Sequence, residues 1–282
     1  MTGFINVNKA AGVSSAREVN IIKRLTGTPC GHMGTLDPMA SGVLPIAIGN
    51  AARLFNYLLD KRKKYIATFR FGVDSDTLDT TGNRVEGGWR VPERAEIESV
   101  LPEFLGEIEQ VPPNYSAKNI GGRRGYQLAR SGVEFTLPPK KVTIYSIVLS
   151  GSPRAGEYDF EIECGGGTYI RSIARDLGER LETKAVMSAL CRTKSGAFEI
   201  ERAVRSDKLS VDNVNNFIIP TESLLPYDEF HPSAAEAKRL FNGLPATVSL
   251  PDGTYKIFQV DGSFYGLADV NYSSMRIKVK LC

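Results

Sequence analysis

The sequence predicts a mixed α+β fold with a small β-rich module at its C-terminal end. Three observations carry that reading. Strand-like and helix-like segments do not alternate strictly, which argues against a doubly wound parallel sheet. Residues 142–149 and 158–164 read as an antiparallel pair. From Pro220 to Pro232 the composition shifts to Pro, Ser, Glu and Asp, and short β-leaning stretches follow.

The elements follow in chain order. Residues 3–8 read as a first strand. Ser15 and Glu18 have the spacing of a capping box, and the helix they open is expected to run over 16–25 and stop at Gly27. Residues 31–42, rich in Gly, Thr, Asp and Pro, read as a structured loop, and 43–48 as an apolar strand. Residues 51–59 look helical, 65–71 form a strand, and 92–105 are mostly helical with a break at Pro102. Paired prolines at 112–113 and 138–139 bracket an excursion from the sheet. Thr168 is placed to cap a helix reaching Leu181. A strand is expected over 198–200 and a helix over 207–217. In the last module a short helix spans 234–241, and Asp252-Gly253 and Asp261-Gly262 mark turns between strands.

Composition excludes several classes. With 42% hydrophobic and 24% charged residues the 282-residue chain is globular and long enough for one large domain plus a small one. No apolar run approaches the roughly 20 residues of a membrane helix, and residues 1–9 lack a signal peptide's apolar stretch, so a cytoplasmic location is expected. Four scattered cysteines and two distant histidines offer no metal-ligand spacing. Neither a G-x-G-x-x-G nor a Walker A motif occurs, and the triple glycine 165–167 reads as a tight turn into a helix. Net charge is only +3, but residues 112–142 hold Lys118, Arg123, Arg124, Arg130, Lys140 and Lys141 against one acid, Glu134. Lys61-Arg-Lys-Lys64 is a second basic run. Such charge, interleaved with Tyr115 and Tyr126, suits phosphate contact and base stacking; its alternative is a solvated face.

The densest segment for chemistry is GHMGTLDPMASGVLP, residues 31–45. Pro38 biases Asp37 toward extended backbone, and Gly31, Gly34 and Gly42 permit tight turns around it. A carboxylate held this way can act as a nucleophile or steady a developing cation. Asp followed by Pro is also a common helix start, with Asp as cap and Pro at the first helical position. The strand expected at 43–48 weakens that alternative.

At this segment the chain resembles the TruB family of tRNA pseudouridine synthases. The resemblance extends to FINVNKAAGVSS at 4–15, Lys64-Tyr65, PPNYSA at 112–117 with Gly122 and the YQLAR run at 126–130, and GTYIR at 167–171 followed by ARDLG at 174–178. It implies the α+β pseudouridine synthase fold, with a mixed, mainly antiparallel sheet flanked by helices over residues 1–226. It also implies an RNA-gripping insertion at 112–141 and a PUA-like RNA-binding domain at 227–282. The implied activity is conversion of uridine to pseudouridine at position 55 of the TΨC loop of tRNA, by a monomer without cofactor or metal.

Carried over residue by residue, the resemblance implies that Asp37 is the catalytic aspartate and Arg171 its partner. Tyr65 would stack on the uracil and receive the proton from its C5. Tyr169 and Leu190 would wall the pocket, His32 and the basic Arg123 and Arg124 would contact RNA, and Lys9 would support the active-site loops. These roles fit the chemistry: a carboxylate near the sugar serves glycosidic rearrangement, a cation beside it preserves its charge, and an aromatic ring replaces the stacking lost by an extruded base. The chain departs from the family pattern at Ala10-Ala11 after Lys9, at Asn119, and at Cys191 in the run Leu190-Cys-Arg-Thr193. An RNA-binding protein without chemistry is the competing reading, and a nucleotide-dependent RNA modifier the third.

Overall fold

In the computed structural model, residues 1–58, 60–115 and 137–281 are described, together with the backbone of 119–120 and 123–124. The strands in chain order are β1 (Gly3–Lys9), β2 (Cys30–His32), β3 (Ser41–Ile48), β4 (Lys63–Phe71), β5 (Val73–Ser75), β6 (Arg84–Glu86), β7 (Gly106–Gln110), β8 (Asn119–Ile120) and β9 (Arg123–Arg124). They continue with β10 (Lys140–Arg154), β11 (Glu157–Cys164), β12 (Ala185–Ser195), β13 (Phe198–Glu199), β14 (Asp228–Phe230), β15 (Ala246–Thr247), β16 (Gly253–Phe258), β17 (Phe264–Asn271) and β18 (Ser274–Lys280).

The main sheet runs β1-β3-β12-β4-β11-β10-β7, with β2 added to β3 and β13 to β12. All its pairings are antiparallel except β12 with β3, where Cys191 faces Ser41 and Arg192 faces Gly42. The expected mixed, mainly antiparallel sheet is therefore present. The single parallel contact joins the loop around Asp37 to the strand carrying Leu190 and Arg192. Gly42 permits it: its φ is +98°, and a Cβ there would lie 2.3 Å from the Arg192 carbonyl oxygen.

Alternation along the strands builds the core. Tyr65, Ala67, Phe69 and Phe71 on β4 share one buried face with Ile162 on β11 and Met187 and Leu190 on β12. Helices Ser15–Thr26, Arg94–Val100 and Ile170–Arg180 contribute Ile22, Ile97, Ile173 and Leu177 to this core. At the other end β1 and β3 are buried on both faces, which explains the near-continuous apolar sequence of β3. Phe4, Val43 and Ala47 there pack with Leu267, Val279 and Leu281 of the second sheet, whose strand order is β14-β16-β17-β18-β15. Asn50 and Arg53 donate to the carbonyls of Leu281 and Lys280, tying the two sheets together.

Several local expectations are corrected. The first helix is capped by Ser14, which accepts from Arg17 N, and ends at the left-handed Gly27. Ser15 is instead buried and turned toward the neighbouring loop. Thr168 does not cap the helix Ile170–Arg180; Tyr169 holds that position, and the Thr168 hydroxyl donates to Gly165 O. The helices expected over 51–59 and 207–217 are short 3-10 turns, Gly49–Leu54, Ser206–Lys208 and Val214–Phe217. Pro102 opens such a turn, Leu101–Phe104. The central strand β12 was not anticipated: AVMSALCRTKS mixes small and polar residues and lacks the apolar alternation of β4.

Candidate active site

Asp37 is not a helix cap. It begins a turn, with Ala40 N donating to Asp37 O at 3.0 Å, and the backbone then enters β3. Three side chains hold this loop. Ser15 Oγ donates to Leu36 O at 2.8 Å and accepts from Leu36 N at 2.9 Å. The fully buried Lys9 donates from Nζ to Ala10 O, Val13 O and Pro38 O at 3.0, 2.7 and 3.2 Å. The lysine itself thus ties down the Ala10-Ala11 stretch, where the chain departs from the family pattern. Burial is the main cause that lowers the Lys9 pKa to about 8.

The third clamp is Arg192, absent from the residues singled out in the sequence. It is completely buried, and its guanidinium donates to Val43 O at 2.8 Å, Gly34 O at 3.0 Å and Thr35 O at 3.4 Å. Arg192 also faces Tyr65 across the β12–β4 pairing. No carboxylate pairs with it among the described residues. The sole sequence signal was the family-like run 190–193, in which this arginine is the one retained.

Arg171, in the first turn of its helix, pairs with Asp37 through both carboxylate oxygens: Nε to Oδ2 at 3.0 Å and Nη2 to Oδ1 at 3.2 Å. Its Nη1 donates to Thr77 O at 3.0 Å and lies 3.5 Å from Asp79 Oδ2; Nη2 also donates to Tyr115 O at 3.1 Å. The Arg171 and Asp79 side chains are 7% and 6% exposed, while that of Asp37 is 34% exposed. Arg171 therefore sits between a buried carboxylate that fixes it and an accessible one that it orients. Asp79 was not anticipated. Its segment DSDTLDTTG reads as a polar turn, and nothing in the spacing distinguishes Asp79 from Asp74 or Asp76. Gln110, also unanticipated, brackets the Tyr169 backbone, donating to its O at 3.1 Å and accepting from its N at 2.8 Å.

These residues surround a cavity of about 230 Å³ lined by Asp37, Lys63, Tyr65, Tyr169, Arg171 and Leu190, among others. Room for roughly eight waters, at about 30 Å³ each, suits one small planar ring. Tyr65 is buried, and burial is the main cause that raises its phenol pKa, so the ring is neutral at physiological pH. A neighbouring cavity of about 610 Å³ is larger but holds none of the Asp37–Arg171 pair. Of the expected set, Asp37, Tyr65, Arg171, Tyr169 and Leu190 come together. Lys9 lies beneath the loop, and His32 is exposed on β2 and outside the cavity lining. The side chains of Arg123 and Arg124 lie outside the described residues, as do Lys118 and Arg130 of the basic window.

Comparisons with known proteins give the chain its family and fold. A family model described as TruB family pseudouridylate synthase (N terminal domain) matches residues 23–170, and one described as tRNA pseudouridylate synthase B C-terminal domain matches 171–226. Their junction falls at the start of the helix Ile170–Arg180, inside one structural layer. Proteins named tRNA pseudouridine synthase B are 38% identical in Clostridium novyi, over 99% of both chains, and in Acaryochloris marina, over 100% of this chain and 99% of that one. A solved chain from an H/ACA RNP bound to a substrate RNA containing 2′-deoxyuridine superposes with TM-score 0.69 at 22% identity, covering 99% of this chain and 85% of that one. One from a Cbf5-Nop10-Gar1 complex gives 0.69 at 24%, covering 99% and 84%. At such identities these two likenesses establish the fold.

Proposed function

The chain belongs to the TruB family of pseudouridylate synthases, and we propose from this membership and the site geometry how it acts. It is a tRNA pseudouridine synthase, isomerising uridine to pseudouridine. The reading extends to uridine 55 in the TΨC arm as the target, a monomeric cytoplasmic enzyme, and residues 227–282 as a PUA-like RNA-binding domain. The last rests on the five-stranded second sheet and its helix Ala234–Phe241.

The observation that carries the mechanism is the two-point Arg171–Asp37 pair at a ring-sized cavity. The target base leaves its stack and enters between Tyr65, Tyr169 and Leu190, with the neutral Tyr65 ring replacing stacking. The carboxylate of Asp37 assists cleavage of the bond from N1 to the sugar. The base turns, C5 bonds to the sugar, C5 loses its proton and N1 gains one. Nothing is oxidised or passed to a second molecule, so an oriented carboxylate in a shaped cavity meets the demand of the reaction.

Replacing Asp37 with Asn tests this. Pseudouridine yield on a tRNA transcript, mapped by site, should be abolished while affinity for the transcript stays within about twofold, since Asn keeps the shape. Full yield from the variant would remove Asp37 from the chemistry. No yield from the wild-type protein, with tight binding, would favour an RNA-binding protein without catalysis.

A further inference from the structure

The basic run Lys61–Lys64 divides its side chains between two environments. Lys64 lies 3.4 Å from Glu163, and Arg62 3.8 Å from the same carboxylate. Both are more than half exposed, the solvated face that a charge run ordinarily forms. Lys63 points the other way, as strand alternation requires. It lines both the cavity holding Asp37 and the larger one beside it. Its backbone pairs with Cys164 on one side and Ser195 on the other, so it projects from the middle of the sheet.

No carboxylate lies within ion-pair distance of it among the described residues. Among the described residues Lys63 makes no ion pair; the charges bearing on its ammonium include Arg192 and Lys140, both repulsive. Cys164 is also close, but burial pushes its thiol up to about 11 and leaves it neutral at physiological pH. Lys140 likewise has no acidic partner among the described residues, in contrast to Lys141, which pairs with Glu107 at 2.8 Å. The Lys140 ammonium lies over Gly167, only 2.6 Å from where a Cβ would stand, and Gly166 and Gly167 line the larger cavity without side chains. The acid of that lining, Asp60, is exposed and accepts from Arg62 N at 2.8 Å.

Uncompensated cations converging on bare backbone beside the catalytic cavity form a seat for an anion. We propose that Lys63 and Lys140, over Gly166-Gly167, bind a phosphodiester of the RNA adjacent to the extruded nucleotide, so that the larger cavity guides the strand while the smaller takes the base. This rests on the RNA-modifying function proposed above and adds a subsite to it.

Binding is measured with the Asp37→Asn protein, so that no turnover is required. The ligand is a stem-loop RNA carrying the target uridine and, in turn, one neutral methylphosphonate at each loop phosphate. Lys63→Met should weaken binding about tenfold, the scale of one charge-assisted contact. It should also lower the slope of log affinity against log salt by about 0.7. One methylphosphonate beside the target should cost the Lys63 protein the same factor and cost Lys63→Met nothing more; Lys63→Arg should restore the loss. Losses that multiply at every position would overturn the subsite, as would stabilisation by inorganic phosphate that depends on Lys63 without any methylphosphonate effect. Failure of the wild-type protein to make pseudouridine would sink the enzymatic reading but leave the phosphate coupling to be read on its own.

Discussion

Replacing Arg171 with Met tests whether one cation organises both carboxylates. The guanidinium contacts Asp37 at 3.0 and 3.2 Å, two backbone carbonyls at 3.0 and 3.1 Å, and Asp79 at 3.5 Å. Breaking a buried ion pair from one side costs about 3–5 kcal/mol. The lower end applies because Asp37 is one-third exposed and rehydrates. Asp79 also keeps the Thr77 hydroxyl at 2.8 Å and Thr81 N at 2.9 Å on Oδ1. A loss of about 3 kcal/mol shifts the thermal midpoint by roughly 6–12 °C for a chain of this size. The loss in single-turnover rate should be about a hundredfold or more, because Asp37 is then unheld. Adding Asp79→Asn should recover about 1–2 kcal/mol, by removing the unpaired buried charge, and none of the rate. Thermal unfolding and a pseudouridine time course on all four proteins complete the cycle. Purely additive stabilities, or a rate restored by Asp79→Asn, would refute the view that Asp79 fixes Arg171 and Arg171 orients Asp37.

Four more substitutions address the loop clamps, one of them as a helix-capping control. Arg192→Met leaves the carbonyls of Val43 and Gly34 without their donor, so chemical denaturation should show a loss of about 3 kcal/mol; a change under 1 kcal/mol would mean water replaces the guanidinium freely. Ser15→Ala removes both bonds to Leu36 and should cost about 1–2 kcal/mol while lowering turnover, whereas Ser14→Ala should cost about 1 kcal/mol of helix capping and leave turnover unchanged. Lys9 titrates at about 8 in the folded chain and near 10.4 when unfolded, so between these values the unfolded state holds more protons. Stability of the wild type relative to Lys9→Met should therefore rise from pH 8 toward pH 10.5 in urea titrations; parallel curves would contradict the buried charge.

Legibility in the sequence follows the physics of each residue. Strand β4 was readable because its apolar side chains alternate, and the last helix lies where it was expected, over Ala234–Phe241. Asp37 was readable as a carboxylate on a stiff loop, but its helix-cap alternative could be dismissed only once the chain was seen to enter β3. The family resemblance singled out Arg171 through its motif. Asp79, Gln110 and Arg192 escaped because their importance lies in partners far off in the chain: Asp79 meets Arg171, Gln110 meets Tyr169, 59 residues away, and Arg192 meets Gly34, 158 residues away. No local pattern encodes such contacts. Ser14 and Ser15 show the same limit at its smallest scale, since either could cap a helix and only the position of Leu36 decides between them.

Those long-range partners share a logic. Lys9 on β1 and Arg192 on β12 are both fully buried, and their donors go to loop carbonyls instead of carboxylates. Carbonyl oxygens satisfy the donors of both; Arg192 has no acid partner among the described residues, while the buried Glu18 offsets part of the Lys9 charge. The loop that carries Asp37 is thus wrapped around two cations, and a third, Arg171, faces it across the cavity. Of these cations Arg192 is the one without an acid partner among the described residues, and its charge adds to the attraction that an RNA strand meets there. The same residues that make the loop rigid therefore also draw in the substrate, which ties the stability of the loop to the electrostatics of binding: neutralising Lys9 or Arg192 should loosen the loop and weaken RNA association together.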